Sequence, residues 1–298
     1  MLTLVDIEKQ LDDLPLLPSV IVHLLGLDPN GETFFEQVLE LAEADPTFAL
    51  RIIRLSNSAS SSPVNPIKTL HAAMTRLGVR SVMGLVTSMS AIRVFLPTTT
   101  GEKNIWLHSV QVASSARIIA QKLNIRNVNP EQAYLCGLMH DIGRFVLFDK
   151  AIDELNRVDE IGWDSPKKLV DTEHEIFGFD HADIGARVCK KWGLPQFIID
   201  VVSHHHSHNL KDISSRDPKD DDLVRIVQLA DNLSVFMLTF PDALSWTTQK
   251  LVNKLDIKCV RPLGASSVLS AKELQPQMSN IIEESNKIIS TLGLSPAN

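Results

Sequence analysis

The sequence has little concentrated positive charge. Lysine and arginine form no run longer than the pairs Lys167-Lys168 and Lys190-Lys191, and the formal net charge is −7. A nucleic-acid footprint needs a basic stripe, so DNA and RNA are not expected partners. Cysteine is also scarce. Cys136, Cys189 and Cys259 make an odd count with no C-x-x-C pair, which points to free thiols in a reducing compartment. The first residues carry Asp6, Glu8, Asp12 and Asp13, unlike a secretory signal. Charge-free stretches such as "SVMGLVTSMSAI" (81–92) are too short, and too rich in Ser and Gly, to span a bilayer. A cytoplasmic protein with no membrane partner is expected. Alternating strand patterns and internal repeats are lacking as well, which argues against β-rich and repeat architectures.

What is present is helical periodicity. The 298 residues, 44% of them hydrophobic, suffice for about two packed units. "VIVHLLGL" (20–27), "FFEQVLELAEA" (34–44) and "FALRIIRLSNSA" (48–59) repeat apolar residues at three- and four-residue intervals. Asp45-Pro46 and Asn129-Pro130 fit helix starts, and Gly78 fits a stop after "IKTLHAAMTRLGV" (67–79). "PTTTGEKN" (97–104) reads as a linker before a helix over 105–123. Helical stretches are also predicted over 131–148, 180–194, 196–208 and 223–238, with a closing helix over 271–294 interrupted near Pro276. The expected fold is all-α, in two packed helical bundles.

Against this apolar background some polar residues stand out. His108 lies in "WLHSVQVA", His140-Asp141 in "LCGLMHDIGRFVLF", and His181 follows Asp180. Four of the five residues 204–208 are His, and Asp231 interrupts "VQLADNLS". Taken singly, each has a plainer reading as a core, capping or solvated residue. Together they are harder to dismiss, because burying a carboxylate and several imidazoles without partners costs several kcal/mol. A shared cation would satisfy them, and mixed His and carboxylate donors suit Fe, Mn, Zn or Ni better than Ca or Mg. Six or seven donors exceed a structural zinc site and hint at two ions. Adjacent residues diverge by about 100° on a helix. His140 and Asp141 can therefore face one ion only near a helix terminus, and Gly143 offers a place for such a break.

In its order of motifs the chain resembles the HDOD domain, a branch of the HD superfamily of metal-dependent phosphohydrolases. The resemblance spans about residues 10–235 and runs through "LPLLPSVIVHLLGL", "ADPTFALRIIRLSNSAS", "NPIKTLHAAMTRLGVRSV", "WLHSVQVASSARIIAQKL", "YLCGLMHDIGR", "GFDHADIGARVCKKWGLP" and the His run. It implies an N-terminal helical bundle (1–97) and an HD-type bundle (104–240); a helical extension (241–298), read from its periodicity, lies outside the resemblance and its function is unread. The superfamily pattern His … His-Asp … His … His-His … Asp falls on His108, His140-Asp141, His181, His205-His206 and Asp231. His204 also qualifies for the paired position. The resemblance favours His205 and His206, because the family's pair usually stands 13 and 14 residues past the Trp of "WGLP", here Trp192.

Two readings of function follow from the resemblance. One is a signal-transduction protein that keeps a metal site and meets a signalling protein or a small phosphorylated ligand. The other is an active metal-dependent phosphohydrolase, with Asp141 bridging the ions or orienting the nucleophile and Arg144 steadying a phosphate oxygen. Catalytic relatives often carry Lys where this chain has Arg144, and Arg still offers a fixed charge and a forked donor. The "GYP" motif of cyclic-di-GMP phosphodiesterases is missing after the His run, which argues against that substrate. In the N-terminal part, Ser56, Asn57 and Ser58 of "LSNSAS" read either as a partner surface or as helix caps.

Overall fold

A computed structural model describes residues 6–7, 23, 27, 31–44, 46–57, 67–92, 95–123, 128–162, 165–207 and 218–294. The chain is all-α, with no strand among the described residues. No helix among them is long and apolar enough to cross a membrane. The chain divides into two compact units, one of residues 16–97 and 286–298, the other of 1–15 and 98–285. The expected helix over 20–27 and the Asp45 cap lie outside the described residues, apart from positions 23 and 27.

The first unit contains helices α1 (Phe34–Glu43), α2 (Pro46–Ser56), α3 (Leu70–Leu77) and α4 (Val79–Ile92). Each turns an apolar stripe inward, so that Phe34 and Val38, Phe48 and Ile52, and Val82 and Val86 meet in one core. Thr69 caps α3 and Gly78, at φ 84°, ends it in a conformation costly for residues with a Cβ. Ser56 and Asn57 are used by the fold itself. The Ser56 hydroxyl donates to Ile53 O, and the Asn57 side chain both donates to and accepts from the Ile67 main chain at 2.8 Å. Ser58 lies outside the described residues.

The second unit is built on α5 (Thr100–Leu123), which packs on α6 (Pro130–Met139) and α12 (Pro218–Thr239). Between them run α7 (Ile142–Lys150), α8 (Ile152–Ile161), α9 (Pro166–Phe177), α10 (His181–Lys191) and α11 (Gln196–His204). After α12 come α13 (Thr248–Leu255), a π-helical turn (Asp256–Val260), a 3₁₀ turn (Arg261–Ser266), α14 (Ala271–Leu274) and α15 (Met278–Leu292). A 3₁₀ turn at Gln275–Gln277 interrupts the closing helix where Pro276 was expected to do so.

Two helix starts show why local sequence sets the boundaries. Asn129 accepts from Glu131 N at 2.9 Å with Pro130 in the first turn, as the Asn-Pro pair predicts. The two units divide after Pro97, at the start of the expected linker 97–104, but α5 begins earlier than expected, at Thr100, because the Glu102 carboxylate accepts from the main-chain N–H groups of Thr98 and Thr99, both at 2.7 Å. That captures amides a helix start leaves without partners.

Close backbone approach brings the elements together. A Cβ on Gly137 would stand 2.9 Å from Ala113 Cα, so glycine lets α6 lie against α5. A Cβ on Gly143 would stand 1.9 Å from His181 O, so α7 meets the start of α10 backbone to backbone. Trp106, fully buried, packs its ring 4.4 Å from that of Phe145 and locks α5 to α7 nearby. Deeper in the unit Arg117 is buried with Glu131 at 3.1 Å and Glu284 at 2.7 Å, its guanidinium over the Tyr134 ring. A buried guanidinium is tolerated only because its carboxylates neutralise it.

Two outcomes are expected. Gly143→Ala should lower unfolding free energy by about 3 kcal/mol in a urea titration, since a backbone atom cannot step aside for the new methyl. Arg117→Met should cost about 3–5 kcal/mol in the same assay by leaving Glu131 buried without its counter-charge.

Candidate metal centre

The helix break expected near His140-Asp141 lies at the donors themselves. His140 ends α6 with helical angles, and Asp141, at φ −96° and ψ 17°, precedes α7. Gly143 is not the hinge; it sits inside α7 and serves the close approach to His181. The turn lets two adjacent side chains face the same interior, which a continuous helix forbids.

His108 arrives from the middle of α5, and its Nε2 lies 3.2 Å from His140 Nε2 and 3.2 Å from Asp231 Oδ1. His181 is the first residue of α10, fixed there by a capping box of Asp180 and Asp183. Its Nε2 lies 3.1 Å from Asp141 Oδ1, 3.3 Å from His205 Nε2 and 3.0 Å from His206 Nε2. Two tight groups result, each with donor atoms within 4.8 Å of one another: Asp141, His181, His205 and His206, and His108, His140 and Asp141. Asp141 is common to both. Asp231 adjoins both groups, with Oδ2 3.9 Å from His206 Nδ1. His204 joins neither, its Nδ1 bonding instead to Asp200 O of its own helix at 2.9 Å. His208 lies outside the described residues.

Hydrogen bonding at the far side of each ring sets its protonation. A main-chain carbonyl can only accept, so His140 Nδ1 donates to Gly137 O at 2.8 Å and His205 Nδ1 to Val202 O at 2.9 Å. His108 Nδ1 donates to Ser234 Oγ at 2.9 Å, because the Ser234 proton is given to Gln111 Oε1. His181 Nδ1 and its main-chain N–H both donate to the Glu173 carboxylate, which is fully buried. In the neutral rings Nε2 is then a bare lone pair aimed at the interior. Burial pushes the His140 imidazole down to about 4, with Asp141 only partly offsetting it. Burial, reinforced by His205 and His181, also holds His206 well below the usual range.

The Nε2 lone pairs of His108 and His140, facing each other at 3.2 Å, repel unless something positive sits between them. The field here favours positive charge. Burial opposes protonation of His181, yet the Glu173 and Asp141 carboxylates outweigh it and raise its pKa well above normal. Burial likewise opposes ionisation of Asp141, but the His140 and His181 imidazoles hold its carboxyl well below the usual range. A cleft of about 10 Å³, lined by His108, Asp141, Arg144, His206 and Asp231 among others, has room for one water-sized guest. Imidazole and carboxylate donors around such a cleft fit a divalent transition metal. Arg144 is buried and reaches Asp159 at 3.7 Å from the same cleft.

Sequence reasoning missed Glu173. A signal was available, since Leu169, Thr172, Glu173, Ile176 and Phe177 form the inward stripe of α9, and a carboxylate there needs a partner. Ser234 and Gln111 were missed too, being ordinary polar residues until the fold sets them behind His108.

The HDOD domain profile matches residues 14–208. An uncharacterized protein of Treponema pallidum is 26% identical over 203 residues, covering 67% of this chain and 39% of that protein. Ribonuclease Y of Mesoplasma florum is 29% identical over 136 residues, covering 46% of this chain and 20% of the enzyme. The chain thus spans less than half the length of these curated relatives. A crystal structure of a proposed phosphohydrolase from Shewanella amazonensis superposes with a TM-score of 0.68 at 20% identity, covering 96% of this chain and 97% of the other; it shares the fold.

Glu173→Gln keeps the shape of the side chain but removes the charge behind His181. The expected result is about a 10–100-fold loss of manganese affinity by calorimetric titration, with an unchanged circular dichroism spectrum.

Proposed function

The chain belongs to the HDOD domain family, and on that premise we propose that it is a metal-dependent phosphohydrolase acting in signal transduction on a small phosphorylated ligand. The observation that carries this reading is the Asp141 carboxylate, shared between two histidine groups in which His140 and His205 spend their Nδ1 protons on main-chain carbonyls and turn Nε2 inward. His108, His140 and Asp141 would hold one divalent ion, and Asp141, His181, His205 and His206 a second, with Asp231 beside both. Iron, manganese, nickel or zinc bound there would supply Lewis acidity toward the phosphoryl oxygens and toward an attacking water.

The chain's own residues do the remaining work. Glu173 fixes the tautomer and angle of His181, and Ser234 with Gln111 does the same for His108. Asp141 keeps its carboxylate ionised at neutral pH and would be a charged ligand in both groups. The Arg144 guanidinium lines the same cleft as Asp141 and Asp231, where it would neutralise a non-bridging phosphate oxygen. Burial of nearly every donor excludes bulk water, which strengthens these interactions. The unit of residues 16–97 would present the surface for a signalling protein.

Purified protein should contain stoichiometric divalent metal and hydrolyse generic phosphomonoesters or phosphodiesters in the presence of manganese or iron. Asp141→Asn should lower kcat at least 100-fold and reduce bound metal while the melting curve stays cooperative. Stoichiometric metal with no turnover on a broad phosphoester panel would replace hydrolysis by a purely regulatory role. Undiminished turnover in Asp141→Asn would sink the assignment of the site.

A further inference from the structure

A second cavity, of about 340 Å³, opens beside the donor cluster. Its volume falls near the lower end of the roughly 300–1,000 Å³ typical of small-molecule sites. His205, His206 and Asp231 are among its lining, so a guest in the cavity reaches the proposed metal donors directly. The rest of the lining is mixed, with Lys167, Thr239 and Lys258 among apolar side chains. Val235, Phe236 and Phe240 line the cavity from the last turns of α12 and just beyond, and Ile257, Pro262 and Leu263 from the turns that follow α13. That second set comes from sequence beyond the HDOD match at 14–208, a segment whose role the sequence leaves unread.

This wall is held in place rather than loosely apposed. The Asn232 side chain donates to Cys259 O at 3.3 Å, and Cys259 Sγ returns a bond to Asn232 O. The clamp ties the π-helical turn to α12 at the residue next to Asp231. π-helical turns are rare and cluster at functional sites. Arg261 Nε donates to Asp256 Oδ2 at 2.7 Å and braces the same turn. Phe236 and Phe240 of the lining pack tilted against each other and edge-on to Trp246, with the Lys250 ammonium 3.8 Å over the Trp246 ring. Ile257 nevertheless remains 49% exposed, an apolar side chain in the lining of the cavity. Gln228, whose amide nitrogen is spent on the main-chain oxygens of His204 and Ser207, has an acceptor oxygen left for a donor group on the guest.

We propose that this cavity is the specificity pocket of the enzyme. It takes the organic part of the phosphoester, and that part is a flat, mainly apolar group of ring size; the post-240 turns are its selective wall. The orientation, phosphoryl group toward His205, His206 and Asp231 and ring toward Ile257 and Leu263, rests on the metal-dependent reading above. A small polar alcohol leaving group would leave the apolar wall wet, whereas a ring buries it.

The test uses phosphonates, which bind whether or not hydrolysis occurs. Calorimetry on the manganese-loaded full chain would compare methylphosphonate, phenylphosphonate and 2-naphthylphosphonate. Affinity should rise at least tenfold from the first to the last. Ile257→Asp and Leu263→Asp, both at positions that are not fully buried, should each erase most of that gain and leave methylphosphonate binding within about twofold. Equal affinity for all three, no binding of any, or a gain that survives both substitutions would overturn the pocket. Turnover on phosphoesters is read separately. Hydrolysis without preference for ring-bearing esters overturns this inference and spares the hydrolase reading. Ring-selective binding without hydrolysis supports the pocket and removes only the hydrolytic step.

Discussion

Imidazole nitrogens held within 3.3 Å of one another around the Asp141 carboxylate are the constraint around which this unit is arranged. Such a cluster is unfavourable by itself. It persists because the surrounding helices fix each ring from behind: Gly137 O behind His140, Val202 O behind His205, Ser234 behind His108 and Glu173 behind His181. Each of these partners also decides which nitrogen faces inward. The carboxylate of Asp141 then lies where the two histidine groups meet, and its negative charge makes the interior attractive to a cation.

That arrangement requires helices closer than ordinary side chains permit. Gly137 allows α6 to touch α5, and Gly143 allows α7 to touch the start of α10. Both glycines lie within a turn of His140 and Asp141, so the packing that shapes the core and the placement of the donors are one event. The same economy holds after residue 240, where the reciprocal bonds of Asn232 and Cys259 join a distant stretch of chain to the helix that carries Asp231.

Much of the fold is legible in the sequence because helical periodicity and capping are local. The Asn129-Pro130 start, the Gly78 stop and the interruption near Pro276 all follow from residues within one turn of the boundary. The break between His140 and Asp141 is legible too, since adjacent donors cannot share an interior on a continuous helix. Its position was less so, because Gly143 looks like a hinge and is instead a packing residue. The linker read at 97–104 begins where the two units divide, after Pro97, yet it is shorter than expected: Glu102 caps back onto Thr98 and Thr99 and draws the helix start forward.

The sequence by itself determined an all-α chain and supplied the donor types, His108, His140, Asp141, His181, the His run and Asp231, at positions where apolar residues would otherwise stand. Only the tertiary structure decided that His205 and His206 turn inward while His204 bonds its own helix, that Glu173 stands behind His181, and that Ile257 and Leu263 line the neighbouring cavity. The physical reason is range. A helix follows from neighbours three and four residues away. The meeting of side chains from different helices depends on interhelix distances and rotations, which are set by contacts between residues far apart in the chain.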